Sequence, residues 1–224
     1  KFLLNIMAEI DLLKNYPKTK RNLEEATKVR TDEVRKVARL FGRDFFDGDR
    51  KFGYGGFNYH PKFWTQVVKD FRDYWQLDEK SSILDVGCGK GFMIYDFLKL
   101  IPELTIEGID ISEYAIKNSK SEVSNYLKIG DAMNLPYEDK SFDYIISINT
   151  IHNLELDDCK IALKEINRVS KKGAFITVDA YNNEEEKKRM YSWNLTAKTI
   201  LSTGQWKSLF DECDYKGDYY WFIP

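Results

Sequence analysis

The sequence predicts an α/β protein: one mainly parallel sheet of six or seven strands with helices on both faces, preceded by a helical extension. Three observations predict it. From residue 81 onward, short apolar runs at 83–86, 104–109, 126–129, 144–148 and 174–178 alternate with helical stretches at 91–101, 113–121 and 158–170. Strands that are apolar throughout are buried on both faces, and that requires crossover helices above and below the sheet. The first run leads into a glycine-dominated turn, I-L-D-V-G-C-G-K-G over residues 83–91. The second run ends on a carboxylate, Asp110.

Residues 1–13 are apolar but interrupted by Glu9 and Asp11, with no small-residue cleavage site behind them, so an amphipathic helix is expected there rather than a leader peptide. Thr31, Asp32 and Glu33 supply a helix cap for a segment reaching about residue 41, because their side chains satisfy first-turn N–H groups. Residues 44–61 turn to glycine, aromatics and charge, and read as a long loop. Residues 63–75 return to helical spacing, with Phe63, Val67, Phe71 and Tyr74 on one face. After the fifth strand come an insertion at 194–204, a helix at 205–213 and a strand at 219–223. The expected organisation is a helical extension and lid loop over 1–78, then a ligand-binding domain over 79–224.

With 34 basic and 36 acidic side chains the net charge is -2, so no general field draws in nucleic acid or an anionic membrane. A small molecule is the expected partner, and a homodimer stays open. The three cysteines are scattered, without a C-x-x-C pair, which argues against a disulfide framework or a zinc site and for a reducing, cytoplasmic setting. No uncharged apolar run approaches the length of a membrane span.

Gly87 and Gly89 allow a sharp turn and close backbone approach to a ligand, while Gly91 lets the next helix start tight against its strand. A dinucleotide fingerprint needs G-x-G-x-x-G, and Phe92 stands where its last glycine belongs. A ligand without a diphosphate is therefore favoured. Asp110, at a strand end, is placed to accept both hydroxyl hydrogens of a ribose, although Asp110 and Ser112 also suit a helix start.

From Asp85 through Gly91 the chain resembles the class I, Rossmann-like S-adenosylmethionine-dependent methyltransferases, whose first motif is an acidic residue followed by G-x-G-x-G. Three further motifs arrive in order: G-I-D-I-S around Asp110, G-D-A around Asp131, and F-D-Y-I-I-S-I-N-T-I-H-N-L over 142–154. The resemblance implies S-adenosyl-L-methionine as cofactor, with S-adenosyl-L-homocysteine as product. Its implied contacts are Asp85, Gly87, Cys88, Gly89 and Gly91, then Asp110 and Ile111, Asp131 and Ala132 against the adenine, and Asn149. It also implies a seven-stranded sheet whose last strand is antiparallel, whereas one strand is visible after the final helix.

Thr150 and Ile151 replace the prolines of the Asn-Pro-Pro amino methyltransferases, and Asn149 removes the carboxylate of the metal-dependent catechol type. No metal is expected. His152 titrates near pH 6.5 when unperturbed and is a candidate general base, or a structural residue under the pocket. Phe52, Tyr54, Phe57 and Tyr59, spaced by Gly53, Gly55 and Gly56, can form a lid whose rings face a sulfonium, with Tyr54 foremost, or can pack the extension onto the sheet. The expected reaction is methyl transfer to an oxygen or nitrogen of a small molecule. A non-catalytic nucleoside-binding subunit and an aminopropyl transferase, for which Asp179 offers slight support, stay open.

Overall fold

A computed structural model describes residues 7–18 and 28–223. Within them, α1 (Asp32–Ala38), α2 (Arg43–Asp47) and α3 (Pro61–Trp75) precede the sheet. There follow β1 (Ser82–Val86), α4 (Phe92–Leu100), β2 (Thr105–Asp110), α5 (Glu113–Lys117), β3 (Leu127–Ile129) and β4 (Phe142–Ile148). The rest comprises α6 (Leu156–Val169), β5 (Ser170–Tyr181), α7 (Glu184–Trp193), β6 (Leu201–Ser202), α8 (Thr203–Glu212) and β7 (Asp218–Phe222). The sheet has seven strands in the order β3-β2-β1-β4-β5. Along the outer edge of β5 lie β7, paired with residues 175–179, and β6, paired with 180–181.

Caps explain several boundaries. Thr31 accepts the Val34 N–H at the start of α1, as its sequence position suggests. His60 caps α3 through Nδ1, and Pro61 takes the first-turn position where its missing N–H costs nothing. Ser202 and Gln205 close a reciprocal capping box on α8. Adjacent residues of each strand face opposite layers. Ile83, Ile146 and Phe175 meet Val67, Phe71, Ile94 and Phe97 of α3 and α4, while Leu84, Ile145 and Ile176 meet Leu163, Ile166, Trp206 and Phe210 of α6 and α8. Each such burial contributes about 1.5–3 kcal/mol, which holds the strand ends in fixed register.

Three expectations are corrected and one helix is added. The last strand is parallel to β5, not antiparallel. The reason is topological: α8 carries the chain back to the starting edge, and a strand entering from there must run parallel. Residues 7–13 do not form the expected amphipathic helix; the part over 1–6 lies outside the described residues. Instead Tyr219 N–H donates to Ala8 O and Ile10 N–H to Tyr219 O, so this segment extends the sheet edge beyond β7. The loop at 44–61 holds a turn of helix, α2, inside its first residues. Finally α7 went unread because E-E-E-K-K-R carries no apolar stripe; Asn183 caps it at the Glu186 N–H, and three glutamates sit against its N-terminal dipole. Among the described residues no helix is long and apolar enough to cross a membrane.

Candidate functional site

A cleft of about 2100 Å³ opens over the carboxyl ends of β1, β2, β4 and β5, where ligands of parallel α/β sheets lie. That exceeds the roughly 300–1,000 Å³ of an ordinary small-molecule site, leaving room for two molecules side by side.

The turn after β1 forms its floor. Gly87 has φ 87°, and a Cβ there would fall 2.0 Å from Thr150 Oγ1, so only glycine lets the loop after β4 pass this close. Gly89 donates its N–H to Asp110 Oδ2 at 2.8 Å, and Ser112 donates to Asp110 Oδ1 at 2.8 Å. The carboxylate is thus fixed in place by one backbone donor per oxygen, with a lone pair of each left over. Gly91, at φ 75°, is the exception among the turn glycines: it faces Val123 and Leu127 rather than lining the cleft, and its service is to start α4.

Charge is crowded here. Asp85 is 4% exposed, and burial together with the nearby Asp110 pushes its pKa up to about 8. Asp110 is also raised by burial, opposed by its two N–H donors. Burial pushes the Cys88 thiol well above its usual range, with Asp85 and Asp110 adding to the effect, so Cys88 is a neutral wall and no nucleophile.

Further along, Ile111 presents an apolar side chain 58% exposed at the cleft rim. Asp131 accepts the Met133 N–H through Oδ1 and stands beside Ala132 on the same wall. Asn149 adopts a left-handed φ of 53°, which asparagine tolerates better than most residues. Its Oδ1 accepts the Thr177 hydroxyl at 2.9 Å, and the residue lines the cleft.

The lid loop divides. Tyr54 and Phe57 line the cleft, but Phe52 does not, and Tyr59 packs on Phe92 and Tyr95 while donating to Asp96 at 2.7 Å. Tyr59 therefore anchors the extension to α4. Tyr54 accepts the Leu195 N–H at 2.7 Å, and Arg30 lies 5.2 Å from its ring and 4.1 Å from that of Trp193. Burial, and secondly Asp179, hold the Tyr54 phenol above its ordinary pKa, so it stays protonated.

Sequence reasoning missed several members of this wall. Phe41, Phe45 and Phe46 line the cleft from α2 and the segment before it. Lys90, inside the glycine turn, is buried and ion-paired with Asp47 at 2.6 Å, while Tyr114 donates to Asp47 at 2.9 Å. Lysine amid glycines carries no pattern that announces such a latch. Trp193 lines the cleft, whereas Trp206 lies in the core and Trp221 is buried yet borders the cleft.

His152 is brought to the cleft wall and is 3% exposed. Its Nδ1 accepts the Asp179 backbone N–H at 2.9 Å, and burial lowers its pKa against the opposing pull of the Asp179 carboxylate. A neutral ring whose Nδ1 is an acceptor carries its proton on Nε2. In that tautomer Nε2 is a donor, which favours the structural alternative for His152 over the general base.

This sheet, glycine turn and strand-end carboxylate define a class I S-adenosylmethionine-dependent methyltransferase. Residues 77–219 match the family described as a methyltransferase domain, and the chain belongs to that family. Over 154 residues it is 30% identical to the demethylmenaquinone methyltransferase of Staphylococcus aureus, an alignment covering 66% of this chain and 60% of that protein. The chain thus spans three fifths of the curated relatives it matches. Among solved structures it is similar to YcgJ of Bacillus subtilis (TM-score 0.53, 21% identity, 65% of this chain and 66% of that one). It is also similar to the MccD protein (TM-score 0.52, 22% identity, 69% and 72%) and to a methyltransferase of Methanosarcina mazei (TM-score 0.51, 20% identity, 63% and 82%). At these identities the solved structures speak to the fold alone.

Proposed function

We propose that the protein moves the methyl group of S-adenosylmethionine to an oxygen or nitrogen of a small molecule by in-line displacement without a metal. The observation that carries this is the Asp110 carboxylate, pinned by the Gly89 and Ser112 N–H groups at the edge of the glycine turn with acceptor capacity to spare. In this reading Asp110 takes the ribose hydroxyls, and Asp85, Gly87, Cys88 and Gly89 border the amino-acid end. Ile111, Asp131 and Ala132 hold the adenine, Gly91 keeps α4 in place, and Asn149 and Tyr54 close over the sulfonium. Residues 79–224 carry the cofactor, and residues 1–78 supply the lid.

When bound, the cofactor supplies an activated methyl group whose leaving atom is a neutral thioether and needs no Lewis acid. The protein's task is alignment, which can lower a barrier by up to about 7–11 kcal/mol. Phe41, Phe45, Phe46, Tyr54 and Trp193 would exclude water from the transfer. The size of the cleft supports a small acceptor beside the cofactor, and the demethylmenaquinone named for the Staphylococcus relative is a small molecule too.

Calorimetry with S-adenosylhomocysteine tests the reading. Binding tighter than about 100 micromolar is expected, and Asp110→Ala should weaken it by at least about tenfold through loss of charge-assisted hydrogen bonds. No binding at that concentration ends the proposal.

A further inference from the structure

The carboxylate of Asp179 is the feature of the cleft that neither the cofactor nor the fold accounts for. It sits near the end of β5, with its side chain 6% exposed, on the cleft wall that also holds Tyr54, His152 and Trp193. Its backbone is held on both sides: the N–H donates to His152 Nδ1, and the carbonyl accepts the Trp206 indole N–H at 2.9 Å. The side chain is held on one side only. Oδ2 accepts Asn194 Nδ2 at 2.8 Å, and Asn194 is itself buried where α7 ends.

Among the described residues Oδ1 has no hydrogen-bond donor. His152 Nδ1 lies 3.8 Å from it, beyond hydrogen-bond reach and already acting as an acceptor. Oδ1 is not sealed from solvent, so the carboxylate has one oxygen held by Asn194 and one left accessible on the cleft wall. The Asn194 bond to Oδ2 and the backbone bonds to His152 and Trp206 hold the carboxylate in place while Oδ1 stays accessible. What fits it is an O–H or N–H from a molecule in the cleft.

Resting on the methyl-transfer reading, we propose that Asp179 is the catalytic residue that binds the acceptor through its O–H or N–H and takes that proton as the methyl group arrives. The acceptor lone pair forms the new C–O or C–N bond, and the carbon–sulfur bond breaks with its electrons remaining on sulfur. The acceptor's proton passes to Asp179 Oδ1. Charge balances, since a sulfonium and a carboxylate become a neutral thioether and a neutral acid. His152 is then a positioning residue that holds the Asp179 backbone, and the acceptor class is a neutral alcohol, phenol or amine.

The position can be probed without knowing the acceptor. Sinefungin carries an amine in place of the methyl-bearing sulfonium, so its N–H groups point where a methyl group would leave. Calorimetry compares sinefungin with S-adenosylhomocysteine on the wild-type protein, Asp179→Asn and Asp179→Glu. The expected result is at least a tenfold loss of sinefungin affinity in Asp179→Asn, partial recovery in Asp179→Glu, and S-adenosylhomocysteine affinity within twofold throughout. Retained S-adenosylhomocysteine binding also reports that the variant folds, and Asp179→Ser replaces the Asn variant if it does not. Equal loss for both ligands, or none for sinefungin, overturns the role of Asp179. Failure of the wild-type protein to bind S-adenosylhomocysteine instead removes the methyl-transfer reading beneath it.

Discussion

Lys90 Nζ lies 2.6 and 2.7 Å from the two carboxylate oxygens of Asp47, joining the cofactor turn to the short helix α2 that roofs it. The lysine side chain is 8% exposed and also donates to the Phe57 carbonyl at 3.1 Å, so one cation ties two parts of the lid to the floor.

Removing Asp47 should therefore do more than delete a surface charge. Asp47→Ala leaves Lys90 buried with a single carbonyl partner, a situation that costs up to about 3–5 kcal/mol in fully buried pairs. Because the Asp47 side chain is 28% exposed, water offsets part of this, and a loss of about 1–3 kcal/mol is expected from the urea midpoint. Lys90→Met, which removes the charge but keeps the bulk, should cost less stability yet still weaken cofactor binding by loosening the roof. Equal stability losses in the two variants would contradict the latch.

Asp85 sets a pH dependence. Its pKa rises from 3.8 to about 8 on folding, so between those values the folded protein holds a proton the unfolded chain has released. Stability of the unliganded protein should then fall as pH rises through this window, by up to about 1.4 kcal/mol per unit from this group. Thermal melts of the wild type and Asp85→Asn, compared at pH 5 and pH 8, check it: the variant's relative stability should grow with pH. A difference that does not change with pH would refute the shift.

His152 should be neutral, with its proton on Nε2. Nitrogen-15 NMR of the imidazole is expected to show an unprotonated Nδ1 and a protonated Nε2 at pH 6, where a free histidine would be largely charged. A protonated Nδ1 would contradict this tautomer and return His152 to candidacy as a base. His152→Phe should cost about 1–3 kcal/mol by leaving the Asp179 N–H unpaired.

Tyr54 should discriminate between donor and product. A ring facing the sulfonium adds about 0.5–2 kcal/mol for the cation and little for the neutral thioether. Tyr54→Leu is expected to weaken S-adenosylmethionine about 2- to 30-fold more than S-adenosylhomocysteine, as measured by equilibrium binding of each. Tyr54→Phe should keep that preference and lose about 1 kcal/mol of stability with the Leu195 hydrogen bond.

The first five strands were legible because a buried parallel strand writes itself as a short apolar run, and the glycine turn because its backbone admits few other residues. Asp110 was legible by position, since a carboxylate ending the second strand of such a sheet has one direction to face. The split of the lid loop was not. Tyr54 and Tyr59 are the same residue type five positions apart, and whether a ring roofs the cleft or packs on α4 depends on Leu195 and Asp96, which are remote in sequence.

By itself the sequence determined the class: local constraints on strands, turn and strand-end carboxylate are short-range, and each is satisfied within a few residues. The tertiary structure decided the environment of His152 and Asp179. His152 Nδ1 meets the Asp179 N–H across 27 positions, and Asn194 reaches the Asp179 carboxylate across 15. Which nitrogen carries a proton, and which oxygen lacks a partner, follows from where distant backbone groups point once the sheet is packed.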